Sequence, residues 1–207
     1  MLTYDFENEM AELAYISEND APAKKRILSA ALELFVARGV SETTIRNIAA
    51  KAGCTNPALF KHFESKDALA LYLFECCYLA LFETVTRAIA AHRGMKERQR
   101  GLIKAYIEAL ERDSASVLFA QENIRHFWPQ ASSAIRRHSI LRLIREMLEE
   151  GQRCGEVTDT VSAKMLTVVW VGTMQQFARM WYFGELGSEK AALEAELERA
   201  VVKAVHR

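Results

Sequence analysis

The chain has 207 residues, half of them hydrophobic and 26% charged, with 27 Lys and Arg balancing 27 Asp and Glu. At that length about 70% of the unfolded surface can be buried, so a core forms without disulfides or a structural metal, in one or two domains. Nine Gly and three Pro leave little material for tight turns, which favours helix and excludes collagen-like and wholly disordered chains.

Cys54, Cys76, Cys77 and Cys154 have no framework spacing and two are adjacent, which fits a reducing cytoplasm better than a secreted disulfide scaffold. Residues 1–20 carry Asp5, Glu7, Glu9, Glu12, Glu18 and Asp20 and no base, the opposite of a signal peptide's start. The most apolar stretch, Ala68 to Phe82, is 15 residues long and contains Glu75, short of the roughly 20 that cross a bilayer, so no membrane span is expected. Neutrality conceals segregation. Residues 1–23 carry a charge of −6, residues 24–67 (Lys24, Lys25, Arg26, Arg38, Arg46, Lys51, Lys61 and Lys66 against Glu33, Glu42, Glu64 and Asp67) carry +4, and the remainder +2. A locally basic block of that kind suits either a polyanion or a solvated helical face.

Residues 1–22 lack a sustained apolar period and read as an acidic, mobile arm, with docking through Phe6, Met10 and Leu13 as the alternative. From Lys24, the positions Ile27, Ala30, Ala31, Leu34 and Phe35 follow the one-faced helical rule until Gly39. Thr43 or Thr44 can cap a two-turn helix through Ile45, Ile48 and Ala49 that stops at Gly53. Thr55 caps a third helix that runs to about His62, with Pro57 tolerated in its first turn. Ser65 caps a fourth, apolar almost all round and therefore buried on several sides, reaching about Ala91. Further helices are expected near 96–111, 114–127, 130–150, 160–183 and 188–206. The fold class is all-α, about nine helices: a three-helix N-terminal domain over 23–67 and a larger helical C-terminal domain over 68–207.

The second and third helices with their tight turn form a helix-turn-helix, in which the later helix enters the major groove while the earlier one crosses the backbone. Leu59 and Phe63 face inward with Ile45 and Ile48, Asn56, Lys61 and His62 face out, and the small Pro57 and Ala58 let the helix approach base edges. The stretch Lys25 to Leu69, KRILSAALELFVARGVSETTIRNIAAKAGCTNPALFKHFESKDAL, resembles the DNA-binding domain of the TetR family of bacterial transcriptional regulators. The Arg38-Gly39 stop, Thr43-Thr44-Ile45, Ala52-Gly53, Leu59, His62-Phe63 and Lys66 all fall at the family's spacing. The resemblance implies a homodimer that reads a palindromic double-stranded operator, with inducer and dimer contacts in the C-terminal helices. By the same resemblance Arg46 and Asn56 are base readers, since Arg pairs with guanine and Asn with adenine, while Thr44, Thr55, Lys61, His62 and Lys66 contact phosphate. Phe60 departs from the family, which usually has a phosphate-binding Tyr there.

In the C-terminal half, polar residues inside apolar runs are the useful signal, because a buried amide without a partner is costly. Gln175 and Gln176 lie within Val168 to Tyr182, and Asn123 and His126 precede Phe127-Trp128. With Tyr106 and Trp170 they are candidates to line an apolar effector pocket, the alternative being ordinary core or dimer contacts. Such a pocket suits a small lipophilic or aromatic effector. The chain has no phosphate-binding Gly-rich loop, no Gly-x-Ser-x-Gly, no Cys-x-x-Cys and no His-Glu-x-x-His. His62, His92, His126, His138 and His206 are scattered, so neither catalysis nor a metal or other cofactor is expected. The rival reading is a helix-turn-helix protein whose C-terminal helices bind a protein partner.

Overall fold

The computed structural model describes residues 13–187 and 189–205. Among the described residues the chain is all-α: α1 (Pro22–Arg38), α2 (Ile45–Lys51), α3 (Asn56–Phe60), α4 (Lys66–Ala90), α5 (Met95–Glu122), the single turns α6 (Ile124–Phe127) and α7 (Ser133–Arg136), α8 (Ile140–Arg153), α9 (Ala163–Tyr182) and α10 (Lys190–Val205). Pro22 occupies the first turn of α1, where its missing N–H costs nothing. Gly39 ends the helix at φ 84° with its N–H donating to Phe35 O. Leu28 and Leu32 widen the buried face beyond the expected stripe, while Leu34 is only half-buried.

Two compact units emerge. The first comprises residues up to Ala80 together with Phe119–Ser132, and the second Leu81–Leu118 with the chain from Ser133 onward. The first unit thus holds α1 to α3 together with the start of α4, and aromatic packing joins the later segment to them. Phe35 stacks on Phe119 at 5.9 Å between ring centroids, Phe74 meets Phe127 at 5.6 Å, and Tyr78 meets Trp128 at 5.0 Å. These rings tie the start of α4 and the segment around α6 to α1. In the second unit the core gathers Ile103, Tyr106 and Ile107 of α5, Ile144 and Leu148 of α8, Trp170, Met174 and Ala178 of α9, and Val201 and Val202 of α10.

Three local expectations need correction. The acidic arm was expected to be mobile as far as Ala21-Pro22, yet Tyr15 and Ile16 are buried. Asp20 anchors this stretch: it accepts from Ser17 N–H at 3.0 Å and from Lys24 Nζ at 2.7 Å. Burial pushes the Asp20 carboxyl up, but those two hydrogen bonds and the nearby Lys24 and Lys25 charges outweigh it and hold it below the usual range. Phe6 and Met10, with the acids of residues 1–12, lie outside the described residues.

The helix expected over 130–150 is broken at 137–139, where Ser139 caps α8 by accepting from Arg142 N–H at 3.2 Å. The expected break at Asp113-Ser114 is present inside α5. Asp113 leaves the helical region (φ −158°, ψ 80°) and caps the following turns, its carboxylate accepting from Ser116 N–H at 3.1 Å.

The apolar stretch does not end at Phe82. Helix α4 runs 25 residues and is long and apolar enough to cross a membrane by length and composition alone. Its Leu69, Leu73, Phe74 and Cys77 are buried in the first unit and Leu81, Val85 and Ala88 in the second, so each half of the helix serves the core of its own unit.

Candidate nucleic-acid interface

The reading unit is set by its caps. Thr44 caps α2, its hydroxyl accepting from Asn47 N–H at 3.2 Å while the Asn47 side chain accepts from Thr44 N–H, a reciprocal box. Thr43, the other candidate cap, is buried and donates instead to Gly39 O at 2.8 Å and Leu34 O at 3.2 Å. The turn passes through Gly53 at φ 63°, a conformation L side chains resist, and Cys54 N–H closes it by donating to Ala49 O at 2.9 Å. Thr55 then caps α3 by accepting from Ala58 N–H at 3.3 Å.

Leu59 and Ile48 are fully buried and Phe63 nearly so, which fixes which face of α3 points away from the protein. Arg46, Thr55, Asn56, Pro57, Lys61 and His62 are all exposed, and Ala58 is half-buried. Arg26 of α1 donates to Ala52 O at 3.1 Å and so braces the turn. The result is a rigid apolar wedge bearing donors on its outer side. Thr55 keeps its hydroxyl proton to donate outward, because its cap uses only a lone pair.

Two predicted phosphate contacts are differently employed. Lys66 Nζ donates to Val40 O at 2.7 Å, Thr43 O at 2.8 Å and Ser41 O at 3.3 Å, using all three ammonium protons on the α1–α2 loop. It positions that loop and is not a spare cation. Thr44 likewise gives its hydroxyl proton to Asn47 Oδ1 at 2.6 Å. Asn47 was missed by sequence reasoning, although the Thr-x-x-Asn spacing carries the capping-box signal.

The effector candidates do not converge within one unit. Asn123, His126, Phe127 and Trp128 belong to the first unit; Tyr106, Trp170, Gln175 and Gln176 belong to the second. Asn123 is satisfied locally, donating to Phe119 O at 3.0 Å, and His126 is exposed with its ring on the Phe127 edge at 4.6 Å. Phe127 and Trp128 are aromatic packing on Phe74 and Tyr78. Gln175 and Gln176 are exposed rather than embedded, because the hydrophobic run they interrupt keeps an outward face. On that face Met165, Val168 and Val169 are 54%, 61% and 44% exposed, and a shallow groove joins Val168, Val169, Gly172, Gln176 and Met180 of α9 to Leu197 of α10.

Tyr106 and Trp170 remain inside. Tyr106 is buried and donates its phenol proton to Met174 O at 2.9 Å. Trp170 is 4% exposed, and its Nε1–H has no acceptor among the described residues. Among the described residues no group of three or more His, Cys, Asp and Glu could hold a metal ion; His206 lies outside them.

A family model for the bacterial regulatory proteins of the tetR family matches residues 27–73, and one for the tetracyclin repressor-like C-terminal domain matches residues 92–203. The transcriptional activator FasR of Mycolicibacterium smegmatis is 30% identical over 54% of this chain and 51% of its own length. The fatty acid metabolism regulator protein of Bacillus subtilis is 20% identical over 89% of this chain and 96% of its own. The chain thus spans about half the length of the first relative and nearly all of the second. Among solved structures, the ketosteroid regulator KstR2 of Mycobacterium tuberculosis superposes with TM-score 0.75 at 21% identity, covering 92% of this chain and 97% of that one. FadR of Bacillus subtilis, solved in complex with stearoyl-CoA, superposes with TM-score 0.69 at 20% identity, covering 88% and 100%. At those identities the likeness is one of fold.

Proposed function

Because the chain belongs to the TetR family of bacterial regulatory proteins, we propose that it is a homodimeric, sequence-specific repressor released from a palindromic operator by a small lipophilic or aromatic effector. One observation carries the DNA-binding part: Arg46, Asn56, Lys61 and His62 are exposed together on a helix-turn-helix whose opposite side is sealed by Ile48, Leu59 and Phe63. Arg46 and Asn56 read base edges, while Thr55, Lys61 and His62 hold phosphates. Thr44 acts here as the cap that orients α2, and Lys66 as the clamp of the preceding loop.

A second copy covers the outer face of α9. Met165, Val168 and Val169 on one surface are the kind of apolar patch that marks an interface. A two-fold axis along α9 and α10 presents two reading heads to two half-sites.

The effector enters the second unit. Trp170 is its polar handle there, the unpartnered indole N–H a donor waiting for an acceptor, while Tyr106, whose phenol proton is given to Met174 O, offers only its oxygen. The likeness to a fatty acid metabolism regulator, to a ketosteroid transcriptional regulator and to FadR in complex with stearoyl-CoA supports a hydrophobic effector with an acceptor group. Release then follows from linkage: an effector that prefers a conformation with misplaced reading heads weakens operator binding by the factor by which the operator weakens its own.

Selection of bound duplexes from random DNA tests this reading. Fluorescence anisotropy on the selected site is then repeated with long-chain fatty acids, their coenzyme A thioesters and steroids. A palindromic site released by one of these classes is the expected result. No duplex preferred over heparin overturns the DNA-binding reading, and a site unmoved by every class overturns the effector.

A further inference from the structure

The reading surface carries one side chain that no phosphate or base-edge role absorbs. Phe60, the last residue of α3, is 49% exposed. Its sequence neighbour Leu59 is fully buried, so the exposure is not the fraying of a loose helix end; the helix is pinned and Phe60 is held out. None of the ring contacts among the described residues involves Phe60. Its companions on the outer side of α3 are the exposed Asn56, Pro57 and Lys61.

Helical spacing decides what the ring accompanies. Phe60 follows Asn56 by four residues, so the two share a face. Side chains on a helix lean toward its N-terminus, which lays the phenyl ring over the turn begun by Asn56 and Pro57. That is the end of a recognition helix that meets base edges. A phenyl ring has no group with which to bond a phosphate oxygen, and an exposed ring on an otherwise polar surface gains only by leaving water. In the major groove the one apolar feature on a base edge is the C5-methyl group of thymine.

We infer that Phe60 is a specificity-determining residue that packs on a thymine methyl next to the base read by Asn56, so that the operator half-site holds a thymine at that position. This rests on the DNA-binding reading above and adds a requirement to it. The contact is apolar, so it adds no counterion release to that of the phosphate contacts.

The test removes single methyl groups from DNA without altering base pairing. In the selected operator, each thymine is replaced in turn by deoxyuridine, and binding is measured for the wild-type chain and for Phe60→Ala and Phe60→Leu. Burial of one methyl-sized group sets the scale at about fourfold in affinity per half-site. Wild type is expected to lose that factor at one thymine position in each half-site, Phe60→Ala to be insensitive there, and Phe60→Leu to keep part of the effect. The salt slope of Phe60→Ala is expected to match wild type. Equal sensitivity of wild type and Phe60→Ala at every thymine overturns the inference, as does a uniform loss on all duplexes, which would place the ring on the deoxyribose. In either case sequence-selective binding itself survives, whereas absence of any selected site strikes the underlying reading. Circular dichroism melting of both variants confirms that the fold is retained, as expected for a side chain that contributes little to the core.

Discussion

Lys66, the first residue of α4, places its ammonium 2.7 Å from the carbonyl oxygen of Val40, 26 positions earlier in the chain. Thr43 O at 2.8 Å and Ser41 O at 3.3 Å complete its set of acceptors. The segment between α1 and α2 therefore has its orphan carbonyls satisfied by a single cation. A family-like lysine at this position is structural in this chain.

Replacing Lys66 by Met removes charge-assisted hydrogen bonds while keeping the aliphatic stem. Each such bond is worth about 1.5–3 kcal/mol, and the half-buried site retains some access to water, so a loss of about 2 kcal/mol is expected in urea denaturation. The salt dependence of DNA binding should stay as in wild type. A slope reduced by one unit without loss of stability would return Lys66 to the phosphate contacts.

Lys61 is the contrasting case, exposed and, among the described residues, without a carbonyl clamp. Lys61→Ala is expected to weaken binding to every duplex alike and to lower the slope of log K against log salt by about 0.9, one phosphate's worth of counterion release. Arg46→Ala should instead relax the preference at one base pair of each half-site, by about 1–3 kcal/mol of discrimination. Duplex selection with each variant separates the two behaviours.

Asp113 supplies a pH signature. Burial raises its carboxyl above the usual carboxylate range, against the opposing hydrogen bonds from Ser116 and the charge of Arg112. A folded pKa above the unfolded one means that the native state binds the proton more readily. Asp113 therefore costs stability at neutral pH, and that cost is relieved as the pH falls through the raised folded value toward 3.8. Asp113→Asn keeps an oxygen for Ser116 N–H and should raise stability at pH 7, with the gain shrinking in acid. Melting curves across that range check it; a gain independent of pH would contradict the assignment.

On the outer face of α9, Val168→Glu puts a charge on a side chain that is already 61% exposed. The monomer's fold should tolerate this within about 0.5 kcal/mol. Association should fail, read as a halved mass in sedimentation, together with a steep loss of affinity for a palindromic duplex. An unchanged dimer would move the interface elsewhere.

Trp170 offers a test inside the second unit. Trp170→Phe deletes the unpartnered buried N–H at the expense of a small cavity, two contributions of about 1–3 kcal/mol and opposite sign. Stability without effector should hardly change. Sensitivity to the releasing compound should fall at least tenfold, measured by titrating it against the operator complex.

Much of this protein is written in short-range patterns. The apolar spacing of α1, the Gly39 stop, the Thr55 cap and the Ser65 start of α4 are decided by residues within one or two turns of each other, and the structure has them where local chemistry puts them. The outward set Arg46, Asn56, Lys61 and His62 follows from the same logic, since burying Leu59 leaves only one orientation for a five-residue helix. Which groups are spent on neighbours far along the chain is another matter. That Lys66 grips Val40, that Phe119 stacks on Phe35 across 84 positions, and that Gln175 and Gln176 face outward depends on how distant segments pack. A helical period tells which residues share a face, but only tertiary contact decides whether that face meets protein, ligand, partner or water.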